Sequence, residues 1–188
     1  MAEKLITYFL TAGFSQAESE QIASHFQIRQ FSKDDHFVKE GKISKELAYV
    51  ETGQFRYYSI SNLGDEHTTY ISLENSFAAS LLSYLNEVPA RENIVALSNA
   101  TVWVIAKKDV ILLQNQIALF REWYIKLLEW QICCIDKSRL NLITMTAEER
   151  YVQLMQEEPE LLQKVPLQYI ASILSITPRH LSRLRKNI

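Results

Sequence analysis

"AYVETGQFRYYSISNLGDEHTTYIS", Ala48 to Ser72, is the stretch whose reading decides the fold. It alternates in polarity, is rich in Tyr, Thr and Ile, and carries turn signals at Glu51-Thr52-Gly53 and Asn62-Leu63-Gly64-Asp65. Alternation with a period of two puts one set of side chains on a buried face, so the stretch predicts short antiparallel strands. "RENIVALSNATVWVIAKKDV", Arg91 to Val110, predicts two more strands around the turn Ser98-Asn99-Ala100. Strands at this spacing over residues 35 to 106 predict a compact β-barrel or roll.

Outside this region the pattern becomes helical. Residues 1 to 30 carry Leu5, Phe9 and Leu10 on one stripe. Residues 109 to 143 contain neither Gly nor Pro. Their centre, "REWYIKLLEWQICCIDKSRL", is apolar on more than one face. Tyr124, Leu127 and Cys134 follow one seam; Leu128, Ile132, Ile135 and Leu142 follow another. One apolar stripe suffices for a surface helix of a monomer. Two stripes require two partners, most simply the barrel and a second copy of the chain. A helix buried inside one domain is the alternative.

The last segment is all helical. Thr146 and Glu149 form a capping box, and Glu157-Glu158-Pro159 interrupts the helix that follows. Pro166 opens a short helix with Leu167, Ile170, Ala171 and Leu174 at i, i+3, i+4 and i+7. After Ser175-Ile176, Thr177 caps another helix, and Pro178 suits its first position. This helix buries Leu181 and Leu184. The predicted fold class is α+β, a β-roll followed by helices.

Apolar residues make up 47% and charged residues 22% of the 188-residue chain, a folded composition rather than a disordered one. No secretory signal pattern opens it, and its apolar runs are too short to span a bilayer, so the expected location is the cytoplasm. The two cysteines, Cys133 and Cys134, are adjacent, and the four histidines are scattered. Metal ligation is therefore not expected. With four glycines, no phosphate-cradling loop and no nucleophile motif, the chain is not expected to be an enzyme.

The charge is uneven. From Lys164 onward there are five cations and no acid, whereas the rest of the chain holds 15 Lys and Arg against 22 Asp and Glu. A basic segment on an acidic body suits a polyanion. Two short helices around a tight turn form a helix-turn-helix, whose second helix enters the DNA major groove. With Leu181 and Leu184 inward, the candidate DNA-binding residues are Thr177, Arg179, His180, Ser182, Arg183, Arg185 and Lys186. Arginine pairs bidentately with guanine, and the amides around Thr177 can approach a phosphate. The alternative is an amphipathic helix pair that packs on the body and solvates its charges.

The order of barrel, long helix and helix-turn-helix resembles the Crp/Fnr superfamily of bacterial transcription regulators along nearly the whole chain. Glu40-Gly41, the Tyr49-Val50 strand, and Gly53, Arg56 and Tyr58 in a G-x-x-R-x-Y pattern are similar to the barrel signature of that family. "TAEERYVQLMQEEPELLQKVPLQYIASILSITPRHLSRLRK" is similar to its DNA-binding module. The resemblance implies a cyclic-nucleotide-binding-like sensor roll over residues 1–108, a long dimerisation helix over 109–144 and a helix-turn-helix domain over 145–188. It also implies a homodimer on double-stranded DNA, a near-palindromic operator with half-sites about one DNA turn apart, and RNA polymerase as a further partner. The implied dimer interface comprises Tyr124, Leu127, Leu128, Gln131, Ile132, Cys134 and Ile135.

The chain departs from the family pattern at the ligand pocket, placed at Ala79, Ser80, Arg91 and Glu92. Ala79-Ser80 stands where nucleotide binders carry Gly-Glu, and Glu92 follows Arg91 where they carry Ser or Thr. A carboxylate there repels a phosphate and can instead consume Arg91 in a local pair. Cyclic AMP and cyclic GMP are therefore not expected to bind. No cofactor is predicted, and any effector is another small molecule or none. Two adjacent cysteines cannot hold a four-cysteine iron–sulfur cluster. Ser175 takes a turn position often held by Gly, and Thr177-Pro178-Arg179-His180 replaces the usual start of the recognition helix. No residues follow for a β-hairpin wing, so one copy alone is expected to bind DNA poorly. The alternative function is a ligand-binding or protein-interaction module that no longer reads DNA.

Overall fold

The computed structural model describes residues 2–187. Helices α1 (Glu3–Thr11) and α2 (Gln16–Ser24) come first. The helix-like segment expected over residues 1 to about 30 comprises two helices and ends a few residues early. Gly13 turns the chain at φ 97°, Ser15 caps α2 through a capping box with Glu18, and strand β1 (Gln27–Phe31) already begins at Gln27.

The strands β2 (His36–Val38), β3 (Glu46–Thr52), β4 (Phe55–Ile60), β5 (Glu66–Ser72) and β6 (Phe77–Ala78) follow in order. After the short helix α3 (Leu81–Asn86) come β7 (Asn93–Ala96) and β8 (Ala100–Ala106). They form two antiparallel four-stranded sheets, ordered β1-β8-β3-β6 and β2-β7-β4-β5. Between the sheets lies a core of Val38, Val50, Phe55, Tyr57, Ile94 and Val102, all from strands. The β3–β4 turn depends on Gly53: its φ is 88°, and a Cβ there would lie 2.6 Å from the Cβ of Ala100.

Helix α4 (Lys107–Gln116) precedes the 27-residue helix α5 (Ala118–Thr144). The expected continuous helix from 109 is broken at Ile117, which adopts extended dihedrals and is buried. That kink lets α4 and the start of α5 fold back on the sheet carrying β3 and β8. Leu5, Phe9, Tyr49, Tyr84, Leu113, Phe120 and Tyr124 form the resulting second core. Phe9 and Phe77 each meet Trp123 edge to face, with ring centroids 5.1 and 5.3 Å away.

Four helices close the chain: α6 (Ala147–Glu157), α7 (Pro159–Lys164), α8 (Leu167–Ile173) and α9 (Pro178–Asn187). The capping box at Thr146 is present: its side chain accepts from the Glu149 amide while the Glu149 carboxylate accepts from the Thr146 amide. Pro159 ends α6 and opens α7 as its first residue. A third core of Tyr151, Leu161, Val165, Ile170, Ala171, Leu174 and Leu181 includes Ile71 from β5, so this helical unit packs against the barrel.

Candidate DNA-reading and ligand sites

The α8–α9 turn is a Schellman motif. The Ile176 amide donates to the Ala171 carbonyl and the Ser175 amide to the Ser172 carbonyl, both at 2.9 Å. Ser175 sits at the left-handed position with φ 55°. A side chain there costs roughly 1–2 kcal/mol, which glycine would relieve. Glycine also gives up part of this gain through the freedom of the unfolded chain. Ser175→Gly is therefore expected to stabilise the helical unit by about 0.5–1 kcal/mol, seen as a higher melting midpoint. An unchanged or lower midpoint would contradict the strain.

Thr177 caps α9, its hydroxyl accepting from the His180 amide at 3.2 Å. Leu181 is fully buried and Leu184 nearly so. Arg179, His180, Ser182, Arg183, Arg185 and Lys186 are all exposed. At 100° per residue, Arg179, Ser182, Arg183 and Lys186 share the face opposite the two leucines, with His180 and Arg185 on the flanks. None of these cations is in an ion pair among the described residues. A helix that buries two leucines and leaves its cations unneutralised keeps them available to an outside anion.

Arg150 on α6 braces this unit. Its guanidinium donates to the Met145 carbonyl at 2.6 Å, where α5 ends, and to the Leu174 carbonyl at 2.7 Å, where α8 ends. The sequence reading missed this residue. In one dimension it is a helical arginine beside two glutamates, with nothing to mark two backbone carbonyls as its partners.

At the ligand pocket, Ala79, Ser80 and Glu92 converge while Arg91 does not join them. The Ser80 hydroxyl donates to the Glu92 carboxylate at 2.9 Å, and the Ala79 amide donates to the Tyr57 hydroxyl at 3.2 Å. Burial pushes the Glu92 carboxyl above its ordinary range, and the Ser80 hydroxyl offsets part of that rise. The expected pairing of Arg91 with Glu92 is not formed. Glu92 turns inward to Ser80, whereas the Arg91 side chain is exposed and in no ion pair among the described residues. Arg91 instead holds its loop through its carbonyl, which accepts from the Ser59 hydroxyl at 3.0 Å. The open groove at this point, about 630 Å³, is lined by Glu40, Gly41, Ser59, Asn62, Arg91 and Glu92. Its titratable lining is two carboxyl groups, Glu40 and Glu92, and one guanidinium, Arg91.

Along α5 the expected interface residues separate by height. Tyr124 is buried in the chain's own second core, against which Leu127 and Leu128 also pack. Within a single chain Tyr124 packs into that core because the kink at Ile117 turns the first part of α5 onto the barrel. Gln131 and Cys134 are half-buried, while Ile132 and Ile135 are 64% and 52% exposed. Ile125 and Leu142, 47% and 46% exposed, extend the same face. Ile125, Leu128, Ile132 and Ile135 follow the alternating three- and four-residue spacing of a coiled-coil seam; Leu142 lies one heptad beyond Ile135, with Arg139 at the intervening position. The sequence reading omitted Ile125 from it.

No helix among the described residues is long and apolar enough to cross a membrane. No group of three or more His, Cys, Asp or Glu among them could hold a metal ion.

The family profile of the cyclic nucleotide-binding domain matches residues 28–116. No curated protein matches the chain by sequence. Among solved structures, it is similar to FixK2 from Bradyrhizobium japonicum, with TM-score 0.75 and 16% identity over 86% of this chain and 83% of that one. A Crp/Fnr-family regulator from Eubacterium rectale matches at TM-score 0.69 and 17% identity, over 96% and 87% of the two chains. The catabolite activator protein of Thermus thermophilus matches at TM-score 0.61 and 19% identity, over 93% and 84%.

Proposed function

We propose that this chain, whose fold is that of the Crp/Fnr regulators and whose residues 28–116 match the cyclic nucleotide-binding domain profile, is a dimeric, DNA-binding transcription regulator. The observation that carries this reading is α9: Leu181 and Leu184 are buried, and the opposite face presents Arg179, Ser182, Arg183 and Lys186 without a neutralising acid among the described residues. In this reading α9 lies in the major groove with Arg179 and Arg183 at base edges, while Arg185, Lys186 and the α9 N-terminus meet phosphates. The exposed α5 seam brings two copies together, and their two α9 helices read a near-palindromic operator. Genomic selection of bound DNA, with binding followed against salt, tests the proposal. An enriched palindrome and a steep salt dependence are expected. Absence of any enriched sequence favours an interaction module instead.

Within this reading the sensor takes no cyclic nucleotide. Ser80 and Glu92 bond to each other inside the site, and the groove carries more acid than base. Calorimetry with cyclic AMP or cyclic GMP up to millimolar concentration is expected to show no saturable heat. Saturation in the micromolar range would overturn this expectation. Any effector suited to the groove is neutral or cationic rather than a phosphate ester.

A further inference from the structure

The sheet β2-β7-β4-β5 has β5 at one edge. An open sheet edge carries unpaired backbone groups and needs covering. Here α8, the first helix of the helix-turn-helix, covers it. The Thr68 amide on β5 donates to the Ser172 hydroxyl at 2.8 Å, and Ile71 enters the core of the helical unit. Beside this contact Arg56 on β4 is 6% exposed, although it is a cation on the outer side of the sheet. Its Nε donates to Thr68 Oγ1 at 2.8 Å, and its guanidinium meets Glu66 at 2.6 Å. The same guanidinium carbon lies 4.5 Å from the ring centroid of Tyr58 on β4 and 4.3 Å from that of Tyr169 on α8. Tyr169 and Ser172, three residues apart, share one face of α8.

Each part has a reason within the barrel except the last. Glu66, Thr68 and Tyr58, all from the sheet, hold Arg56 in place. Tyr169 is the partner that α8 brings to it. The guanidinium face is attracted to an aromatic ring, and this attraction grows when water is excluded. The geometry points to a latch: Arg56 and the Thr68 amide of the sensor sheet clasp Tyr169 and Ser172 of α8, fixing the reader unit to the barrel. The latch acts beside α5, which joins the two units covalently, and gives the reader one orientation on the sensor. It leaves the cationic face of α9 exposed, so it positions the reader without occluding it. The assignment of a reader rests on the function proposed above, but the latch is tested without DNA.

Hydrogen exchange at the Thr68 amide is the readout, because that amide reports the docked state directly. In Tyr169→Leu it is expected to exchange faster by about tenfold or more, since the ring no longer covers the desolvated guanidinium. Tyr169→Phe keeps the ring face and is expected to exchange like the wild-type chain. The Val50 and Val102 amides, in the barrel core, serve as references. Equal Thr68 protection in Tyr169→Leu and wild type overturns the latch. So does a parallel loss at Val50 and Val102, which would make Tyr169 a general determinant of folding.

Discussion

Ile132→Arg is expected to convert the proposed dimer to a monomer while leaving each subunit folded. Ile132 is the most exposed residue of the seam that runs from Ile125 to Leu142, and it belongs to none of the three cores within one chain. A single chain therefore loses nothing by the change, and its far-ultraviolet spectrum and barrel melt should match the wild type. In a self-paired helix two arginines would face each other across an apolar seam. Burying an unpaired charge costs several kcal/mol, enough to exceed what one seam residue contributes. Sedimentation equilibrium should report 21.9 kDa instead of twice that mass. Affinity for a palindromic site should fall by about 100-fold or more, because the second reader no longer binds at the effective concentration set by the first. A variant that sediments as the wild type does would remove α5 from the interface.

The sequence made the architecture legible wherever the physics is local or periodic. Strand alternation from Ala48 to Ser72 announced the sheets, and the Thr146 and Thr177 caps marked two helix starts that the structure contains. The Ser175 strain was also local: a residue in the Gly position of a Schellman turn must adopt positive φ whatever surrounds it. What escaped notice depends on long-range packing. Nothing near Ile117 in the sequence marks a break, because the break comes from burying its side chain and turning α5 onto the sheet. The Arg91–Glu92 expectation came from adjacency, yet both residues lie in a bend ahead of β7, where neighbouring side chains need not face the same way. Glu92 faced inward to Ser80, twelve residues away, and Arg91 faced out. Arg56 was read only as part of a strand signature. Its partner Tyr169 lies more than a hundred residues on, and no pattern in either segment names the other.

The proposed reader makes a sharper demand on Arg183. Arg183→Ala is expected to lower operator affinity by about 1–3 kcal/mol for each base that the arginine reads, and to relax sequence preference at one position in each half-site. The structural conditions for that outcome are met. Arg183 lies one turn beyond Arg179, is exposed, and makes no ion pair among the described residues, so its removal leaves the helical core intact. A thermal melt should be unchanged. Lys186→Ala supplies the contrast: an ammonium on a phosphate carries no sequence information, so binding to all sequences should weaken alike and the salt slope should drop by about 1. The two arms separate reading from attraction. If Arg183→Ala weakened all sequences equally, α9 would be attached to the phosphate backbone and the bases would be read elsewhere. If neither substitution changed binding, the acid-free helix would be a solvated face, and its charges would serve solubility rather than recognition.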